Sequence, residues 1–341
     1  MENSFIKKSK RIAFSFLIAG ASLSLIACST EDASKGQKEN QSEERQGQQG
    51  EDVASATELT LENDGVDEKE LASALEQFPE GVAEQLVTTS VPLTEMLSVL
   101  EITPVGVPTS TNPIPAAFDE VQRIGSPMAP DLEVLTKLKP DLVIGAESLR
   151  SSLEESIKGI DVKTAYLPTD SFDDLKLSFK ALGTYFEQTE KMNEKMQEIL
   201  NKENELVQKA AGKDMPKVLL MIGTADSFMV MNENSYLGSL VERLGADNIA
   251  TSILKAQDTY SPMNMEEIVV ANPDIVFVLA SGDHGASEKM LEDEMNGNEM
   301  WSKLAASQND AIHILDSEIF GMASIENVEK ALTEIGNYFF E

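Results

Sequence analysis

Hydrophobic residues of the central chain fall into short runs that are typical of buried strands. Between these runs, apolar residues recur every three or four positions, as they do along one face of a helix. The runs that we expect to form strands in the first half lie at 85–89, 104–107, 142–145 and 162–167. Strands that alternate with helices predict a mostly parallel sheet that is covered on both faces.

A stretch from 187 to 211 contains no glycine or proline and carries apolar residues at helical spacing. It predicts a single helix about 37 Å long, which ends before Gly212 and Pro216. Strand-like runs resume at 218–223, 228–231, 275–279 and 312–315, and a helix is expected at 325–340. The predicted fold class is α/β, with two Rossmann-like lobes joined by one long interdomain helix, an arrangement that favours small closure movements.

Two stretches, one in each half of the chain, repeat the same order of residue types. They are 133–143 (EVLTKLKPDLV) and 266–276 (EEIVVANPDIV). Each begins with a glutamate, has proline seven residues later, and enters an apolar run through Pro-Asp. Two lobes of similar design would give this pattern and suggest a ligand between them. Because proline ends a helix and fixes the entry into the next strand, the pattern is also a common α/β connection.

The N-terminus has the pattern of a secretory signal. Basic residues precede an apolar run at 12–26, which is too short to span a bilayer as a helix. The run ends in LIAC at 25–28, which resembles a bacterial lipobox, so Cys28 is expected to carry the lipid. Cys28 is the only cysteine of the chain, which excludes disulfides. We therefore expect a protein anchored by lipid to the extracellular face of the cell membrane of a Gram-positive bacterium.

The segment after the cysteine is polar, cannot bury enough apolar surface to become ordered, and should be a disordered tether. The segment that follows it predicts a short strand at 58–61 and a helix at 67–77, and the sequence assigns it no role. The expected divisions are a signal peptide (1–27), the lipidated cysteine and disordered tether (28–56), an N-terminal extension (57–84), an N-terminal lobe (85–186), the interdomain helix (187–212) and a C-terminal lobe (213–341).

The charge of the chain limits its partners. Lys and Arg number 27 against 59 Asp and Glu, which gives a net charge of −32. Such acidity argues against nucleic acid and anionic lipid as partners. We therefore expect contact with the membrane through the lipid anchor only. A monomer is also expected.

The candidate chemistry rests on a histidine and a methionine. His284 lies in a stretch, 280–285, that is expected to be a flexible loop after a strand, where open α/β sheets bind ligands. His313 lies within an apolar strand, which indicates a structural role. Met128 lies in a stiff loop, 124–130, with two prolines and a glycine. A lone loop histidine is usually solvated and methionine is usually core filler, but imidazole and thioether together are suitable axial ligands for haem iron.

Several segments carry a resemblance to a known family. They are 87–110 (VTTSVPLTEMLSVLEITPVGVPTS), 124–130 (IGSPMAP), 138–141 (LKPD), 235–238 (SYLG), 272–275 (NPDI) and 320–321 (FG). Through them the chain, from residue 85 to its C-terminus, resembles the haem-receptor lipoproteins of the iron-regulated surface determinant system. These belong to the long-helix class of ABC-transporter substrate-binding proteins. The general motifs are shared with siderophore and cobalamin binders, whereas the Pro-Met loop is more specific.

The resemblance implies that haem b is the transported, non-covalent ligand, with Met128 and His284 as the axial ligands of its iron. It also implies that Glu133 and Glu266 dock onto arginines of the ABC permease, although the helix dipole alone would favour glutamate there. An upstream surface haem donor is a further implied partner. Local donors such as those at helix N-termini are expected to hold the propionates; the candidates are Thr89, Ser90, Thr109 and Ser110. Tyr260 is expected to stack or hydrogen-bond from the other lobe.

Other functions fit the sequence less well. A ferric-siderophore or cobalamin binder on the same fold is the first alternative, although the expected cleft loops contain little arginine. Two histidines are too few for a typical bare-metal receptor. No enzyme is expected, because the chain lacks GxxxxGK[ST], HExxH and GxSxG motifs. A surface hydrolase or an adhesive lipoprotein is the alternative from another class.

Overall fold

The computed structural model of the protein describes residues 58–223, 227–280 and 284–340. Helices and strands alternate throughout the first half. Its elements are α1 (Glu68–Leu75), β1 (Leu86–Thr88), α2 (Val91–Val99), β2 (Gly106–Val107), β3 (Gln122–Arg123), α3 (Leu132–Leu138), β4 (Leu142–Ala146), α4 (Arg150–Ser156), β5 (Lys163–Leu167) and α5 (Phe172–Tyr185).

The first sheet has five parallel strands in the order β3-β2-β1-β4-β5. At its centre, Val87 of β1 pairs with Gly106 of β2 and with Val143 of β4. Alternate residues of β4 pack into two different core clusters, Ile144 into one and Val143 into the other. Both faces of this sheet are therefore covered, which confirms the parallel, two-sided sheet that the sequence predicts.

A single long helix, α6 (Thr189–Ala210), connects the two halves. Its 22 residues correspond to a length of about 33 Å. The second half contains β6 (Lys217–Gly223), β7 (Phe228–Met231), α7 (Tyr236–Arg243), β8 (Asp247–Asn248), α8 (Ile249–Ser252), β9 (Tyr260–Pro262), α9 (Met265–Ala271), β10 (Ile275–Ala280), α10 (His284–Gly297), α11 (Ala305–Gln308), β11 (Ile312–Leu315), α12 (Ser317–Phe320) and α13 (Val328–Phe340).

The second sheet is mixed. Its strands follow the order β11-β10-β6-β7-β9, with β8 beside β6. Strand β10 runs parallel to β6 and β11, whereas β7 and β9 each run antiparallel to the preceding strand of this order. In β11, the His313 ring lies 4.5 Å from that of Tyr338, and burial lowers its pKa. These contacts agree with the structural role expected for His313.

Direct contacts between the halves supplement α6. The backbone N–H of Phe172, at the start of α5, donates to the Ser239 hydroxyl of α7 at 2.9 Å. Arg243 of α7 donates to both carboxylate oxygens of Asp173, at 2.5 and 2.6 Å, and lies 3.2 Å from Glu203 of α6. The α/β fold class with two lobes and one long connecting helix is therefore confirmed.

The extension before β1 packs against the first lobe. The Gln77 side chain donates to the carbonyl of Tyr166 and accepts from its N–H, both at 2.9 Å. It thus pairs with the edge strand β5 as a further strand would. The Phe78 ring stacks on that of Tyr185 at 4.2 Å. The extension therefore covers an edge of the sheet that would otherwise be open to pairing with other chains.

The start of the extension differs from the predicted strand at 58–61. Only an isolated bridge joins Thr60 and Asn63, while the backbone of Leu59 bonds in both directions to the Asn204 side chain of α6, at 2.9 and 2.8 Å. The predicted signal peptide, Cys28 and the tether to residue 56 lie outside the described residues. Within the described ranges, no helix combines the length and apolarity needed to cross a bilayer.

Candidate ligand-binding site

A cavity of about 480 Å³ lies between the two lobes. This volume falls within the range of small-molecule sites. The first lobe contributes residues at or beyond the carboxyl ends of its strands, among them Pro92, Ser148 and Asp170. The second lobe contributes mostly apolar side chains, among them Ile222, Met231, Leu279 and Phe320. The position matches the crevice in which open α/β sheets bind ligands.

Two glycines allow close backbone packing within the second lobe at the cavity wall. A Cβ atom on Gly238 would lie 1.9 Å from the Asn232 carbonyl oxygen, so a side chain has no room there. The N–H of Gly238 also donates to the Ser235 hydroxyl at 3.0 Å, which caps α7 and sets Tyr236 at the cavity wall. At Gly321, a Cβ atom would lie 2.5 Å from the Ser317 carbonyl oxygen. The SYLG and FG segments therefore shape the wall.

The predicted polar residues are divided between wall and core. Tyr260 lines the cavity and is 47% exposed. Thr89 and Ser90 are buried outside the described lining: the Ser90 hydroxyl accepts from the N–H of Leu93 and caps α2, and the Thr89 hydroxyl donates to the Ile144 carbonyl. These two residues hold the start of α2 against the sheet, and Pro92, from the first turn of that helix, reaches the wall instead.

Met128 lies beyond the carboxyl end of a strand of the first sheet, as the first-lobe residues of the cavity wall do. Its side chain is 52% exposed, and its carbonyl accepts from the Ser156 hydroxyl at 2.9 Å. The loop is non-helical, as predicted, and the N–H of Thr109 donates to the Gly125 carbonyl at its base. The strands that precede Thr109, Ser110 and Met128 are β2 and β3. These strands lie one and two positions from β1 in the sheet, or roughly 5 and 10 Å across it. The three residues do not belong to the described cavity lining.

His284 is the first residue of α10, which packs against β10 and β6. The expectation of a flexible loop is therefore wrong from His284 onward, because the helix begins there. Leu279, five residues earlier, lines the cavity. The His284 side chain and residues 281–283 lie outside the described part of the chain, so its pairing with Met128 stays a prediction.

A buried carboxyl joins the lobes beside the cavity. Glu95 of α2 accepts hydrogen bonds from the Ser324 hydroxyl, at 2.8 and 2.9 Å, and from the Glu326 N–H at 2.9 Å. Burial raises the pKa of Glu95 to about 7, and the charge of Glu326 adds to the rise. The Tyr236 ring, which lines the cavity, is also buried, and this burial together with Glu95 raises its pKa. Lobe contact and cavity are thus adjacent.

The repeated glutamates occupy equivalent surface positions. Glu133 in the first turn of α3 and Glu266 in the first turn of α9 are both exposed. The N–H of Glu133 donates to the Asp131 carboxylate at 2.9 Å, and that of Glu266 donates to the Asn264 amide oxygen at 3.1 Å. Both glutamates are therefore held on rigid helix starts, one on each lobe.

Residues 86–319 match the family model described as periplasmic binding protein. The match spans most of the chain and includes both sheets. The chain belongs to the periplasmic binding protein family. It is therefore the substrate-binding component of an ABC importer, and its family consists of transport components rather than enzymes.

Individual members of the periplasmic binding protein family are similar to this chain over about three quarters of its length. The high-affinity heme uptake system protein IsdE of Staphylococcus aureus (strain Newman) is 30% identical over 260 residues, which cover 75% of this chain and 87% of IsdE. The crystal structure of S. aureus IsdE complexed with heme has a TM-score of 0.68 at 29% identity and covers 75% of this chain and 99% of that one. An ABC transporter substrate-binding protein from Listeria monocytogenes EGD-e has the same TM-score at 30% identity and covers 75% and 98%.

More distant structures share the fold alone. S. aureus SirA complexed with staphyloferrin B has a TM-score of 0.64 at 20% identity, covering 76% of this chain and 94% of SirA.

The sequence did not identify several residues of this site, including Asp170, Glu95 and Ser324. Glu95 lies on an apolar helix and has the appearance of an ordinary surface glutamate until its partners from the other lobe are known. The SYLG and FG segments were the available signal for the second-lobe wall.

Proposed function

We propose that this protein binds haem b between its lobes and delivers it to the permease of its ABC importer. The observation that carries the proposal is the interlobe cavity, whose second-lobe wall is mostly apolar, in a chain 30% identical to IsdE. An apolar wall suits the faces of a porphyrin. The cavity lies at the carboxyl ends of strands from both lobes, so a flat ligand would contact both.

The proposed axial ligands are Met128 from the first lobe and His284 from the second. The Met128 side chain is half exposed, and the bridge between Gly125 and Pro130 closes its loop. A thioether and an imidazole are neutral ligands that occupy both axial positions of the iron. Two filled positions leave no place for oxygen, which suits transport rather than catalysis.

Absorption spectroscopy with hemin tests this assignment. The wild-type protein should give the spectrum of low-spin, six-coordinate haem. Met128→Ala and His284→Ala should each leave one position to water or exogenous imidazole and change the spectrum. Met215→Ala and His313→Gln are matched controls, because neither residue belongs to the described cavity lining, and should keep the wild-type spectrum. Unchanged spectra in both site variants would refute the axial pair, and failure of wild type to bind hemin would refute the function.

A ferric siderophore is the second candidate ligand. It is favoured by the position of Met128, which lies outside the described cavity lining. A ligand confined to the cavity would then have no contact with Met128. Competition between hemin and ferric siderophores, followed by quenching of Trp301 fluorescence, separates the two candidates.

The proposal includes an anchor and a docking face. Lipid on Cys28 would hold the protein at the extracellular face of the cell membrane, and Glu133 and Glu266 would contact the permease. An upstream surface haem donor would supply the ligand. Cys28→Ala should release the protein into the medium and abolish labelling by radioactive palmitate, whereas a retained label would refute lipidation at this position.

A further inference from the structure

The described lining of the interlobe cavity carries negative charge only. Asp170 is the only charged side chain among the described residues that line it. It is exposed, and its carboxylate accepts from the Ser148 hydroxyl at 3.2 Å, which fixes it at the first-lobe wall. Burial raises the pKa of Tyr260, on the second lobe, and the charge of Asp170 adds to that rise. Asp170 and Tyr260 therefore flank the cavity from opposite lobes.

The negative charge continues into a neighbouring hollow of about 640 Å³, which shares Asp170 and Thr259 with the cavity. This hollow is lined by further carboxylates, namely Asp173, Asp174, Glu233 and Glu242. Its arginine, Arg243, is already bound to Asp173 by two hydrogen bonds. Burial raises the pKa of Asp174, with a contribution from Asp170, as expected where negative charge accumulates.

A basic residue near the wall, Arg150, is also paired with a carboxylate. Arg150, two residues after Ser148, lies 2.5 Å from a carboxylate oxygen of Glu147. Because like charges about 4 Å apart in water repel by about 1 kcal/mol, an uncompensated carboxylate at the wall changes the affinity for a charged ligand about fivefold.

We propose that Asp170 makes the cleft select its ligand by charge. Iron chelates whose negative charge reaches this wall are disfavoured relative to neutral or cationic ones, and a haem propionate that lies near Asp170 weakens binding. The inference rests on the cleft being the ligand site, as proposed above, and adds to it the charge class of the ligand.

A matched pair of ligands tests the role of Asp170. Hemin and hemin dimethyl ester share iron and macrocycle and differ in the charge of the propionates. In Asp170→Asn, which keeps the acceptor for Ser148, the affinity for hemin relative to the ester should rise about fivefold. High salt should raise the same ratio in the wild type, because it screens the repulsion. Asp119→Asn, at an exposed position outside the cavity lining, is the control and should leave the ratio unchanged.

The outcomes separate this inference from the haem proposal. A ratio that is the same in wild type and Asp170→Asn overturns the role of Asp170 while haem binding stands. If wild type binds no hemin, the haem proposal fails, and ferrioxamine B (cationic) and ferrioxamine E (neutral) take the place of the haem pair. A preference for the cationic chelate that Asp170→Asn removes then supports charge selection. Equal affinities, or binding of neither, overturn it.

Discussion

The two repeats of helix, proline, aspartate and strand are built in the same way in both lobes. Helices α3 and α9 each have seven residues and begin behind an Asp or Asn N-cap. Each ends at a residue in the left-handed conformation, Lys139 (φ 50°) or Asn272 (φ 49°), immediately before proline. These shared features end a helix and lead the chain into the next strand. They are required by the fold and carry no information about the ligand.

The repeats differ on their exposed faces. Glu133 pairs with Lys137, one turn later, at 3.1 Å. The corresponding position of α9 is Val270, which is 84% exposed, so Glu266 lacks that ion pair. Two lobes that share one connection thus present different surfaces. Substitutions at residues that the repeats share should test stability. Substitutions at residues in which they differ should test function.

The largest effect is expected where the lobes meet, at Glu95. An unfolded glutamate releases its proton near pH 4.5, whereas burial raises the pKa of Glu95 to about 7. Between these values the folded chain holds an extra proton, so the free energy of unfolding falls as pH rises, by up to about 3 kcal/mol. Glu95→Gln should remove this loss, making the variant more stable than wild type at pH 8 but not at pH 4.

Denaturant unfolding at the two pH values measures this difference. Glu120→Gln, at an exposed position, is the control and should change the free energy of unfolding equally at both. If Glu95→Gln changes stability by the same amount at pH 8 and pH 4, the carboxyl between the lobes does not titrate as described. Ser324→Ala removes the hydroxyl donor from the second lobe and should destabilise the chain most at pH 8, where the carboxylate is ionised.

The next effect distinguishes the two aspartates of the repeats. Asp141 accepts from the N–H groups of Glu84 and Gln85, at 2.9 and 3.1 Å, before β1. Asp274 accepts from the N–H of Lys217 at 2.9 Å, at the start of β6. Since both carboxylates are exposed, each such bond is expected to contribute about 1 kcal/mol, so Asp141→Ala should cost about 2 kcal/mol and Asp274→Ala about 1 kcal/mol. Thermal unfolding measures both, with exposed Asp161→Ala as the control; equal losses would contradict the bond count.

Much of the fold could be predicted because the residues that begin and end its helices and strands are neighbours in the sequence. Ser90 and Pro92 mark the start of α2, and the glycine-free run predicts α6. The short strand expected at 58–61 is absent because the backbone of Leu59 bonds to the Asn204 side chain, 145 residues away. The role of Gln77 at the edge of β5 is invisible in sequence for the same reason, since its partner lies in another element.

The site is less predictable because its walls come from both lobes. Tyr260 was predicted and lines the cavity, whereas Thr89 and Ser90 bond within the first lobe instead. Polar residues after a strand can either cap a helix or face a ligand, and local sequence does not distinguish these uses. Asp170 was not predicted as a site residue, because its proposed role in selecting the ligand depends on the lack of basic residues in the rest of the described cavity wall.

A smaller effect compares the two left-handed residues. Lys139 adopts a conformation that is unfavourable for a residue with a Cβ atom, so Lys139→Gly should stabilise the chain by about 0.5–1 kcal/mol. Asn272 has the same conformation, but its side chain accepts from the N–H of Ala305 at 2.9 Å. Asn272→Gly should therefore give no gain. Chemical denaturation compares them, and a gain of equal size at both positions would show that the Asn272 bond contributes nothing.

The smallest change in stability, and the sharpest test of the difference between the repeats, comes from exchanging Lys137 and Val270. Each single variant, Lys137→Val or Val270→Lys, should change stability by less than about 0.5 kcal/mol, because an exposed pair one turn apart contributes little. If the glutamates dock onto basic residues of the permease, Val270→Lys should weaken uptake by neutralising Glu266, whereas Lys137→Val should preserve or raise uptake by freeing Glu133. Growth of cells on haem as the iron source, at matched protein levels, measures both. Equal growth of the two variants would mean that charge on these helix starts does not govern docking, even though both lobes present it in the same place.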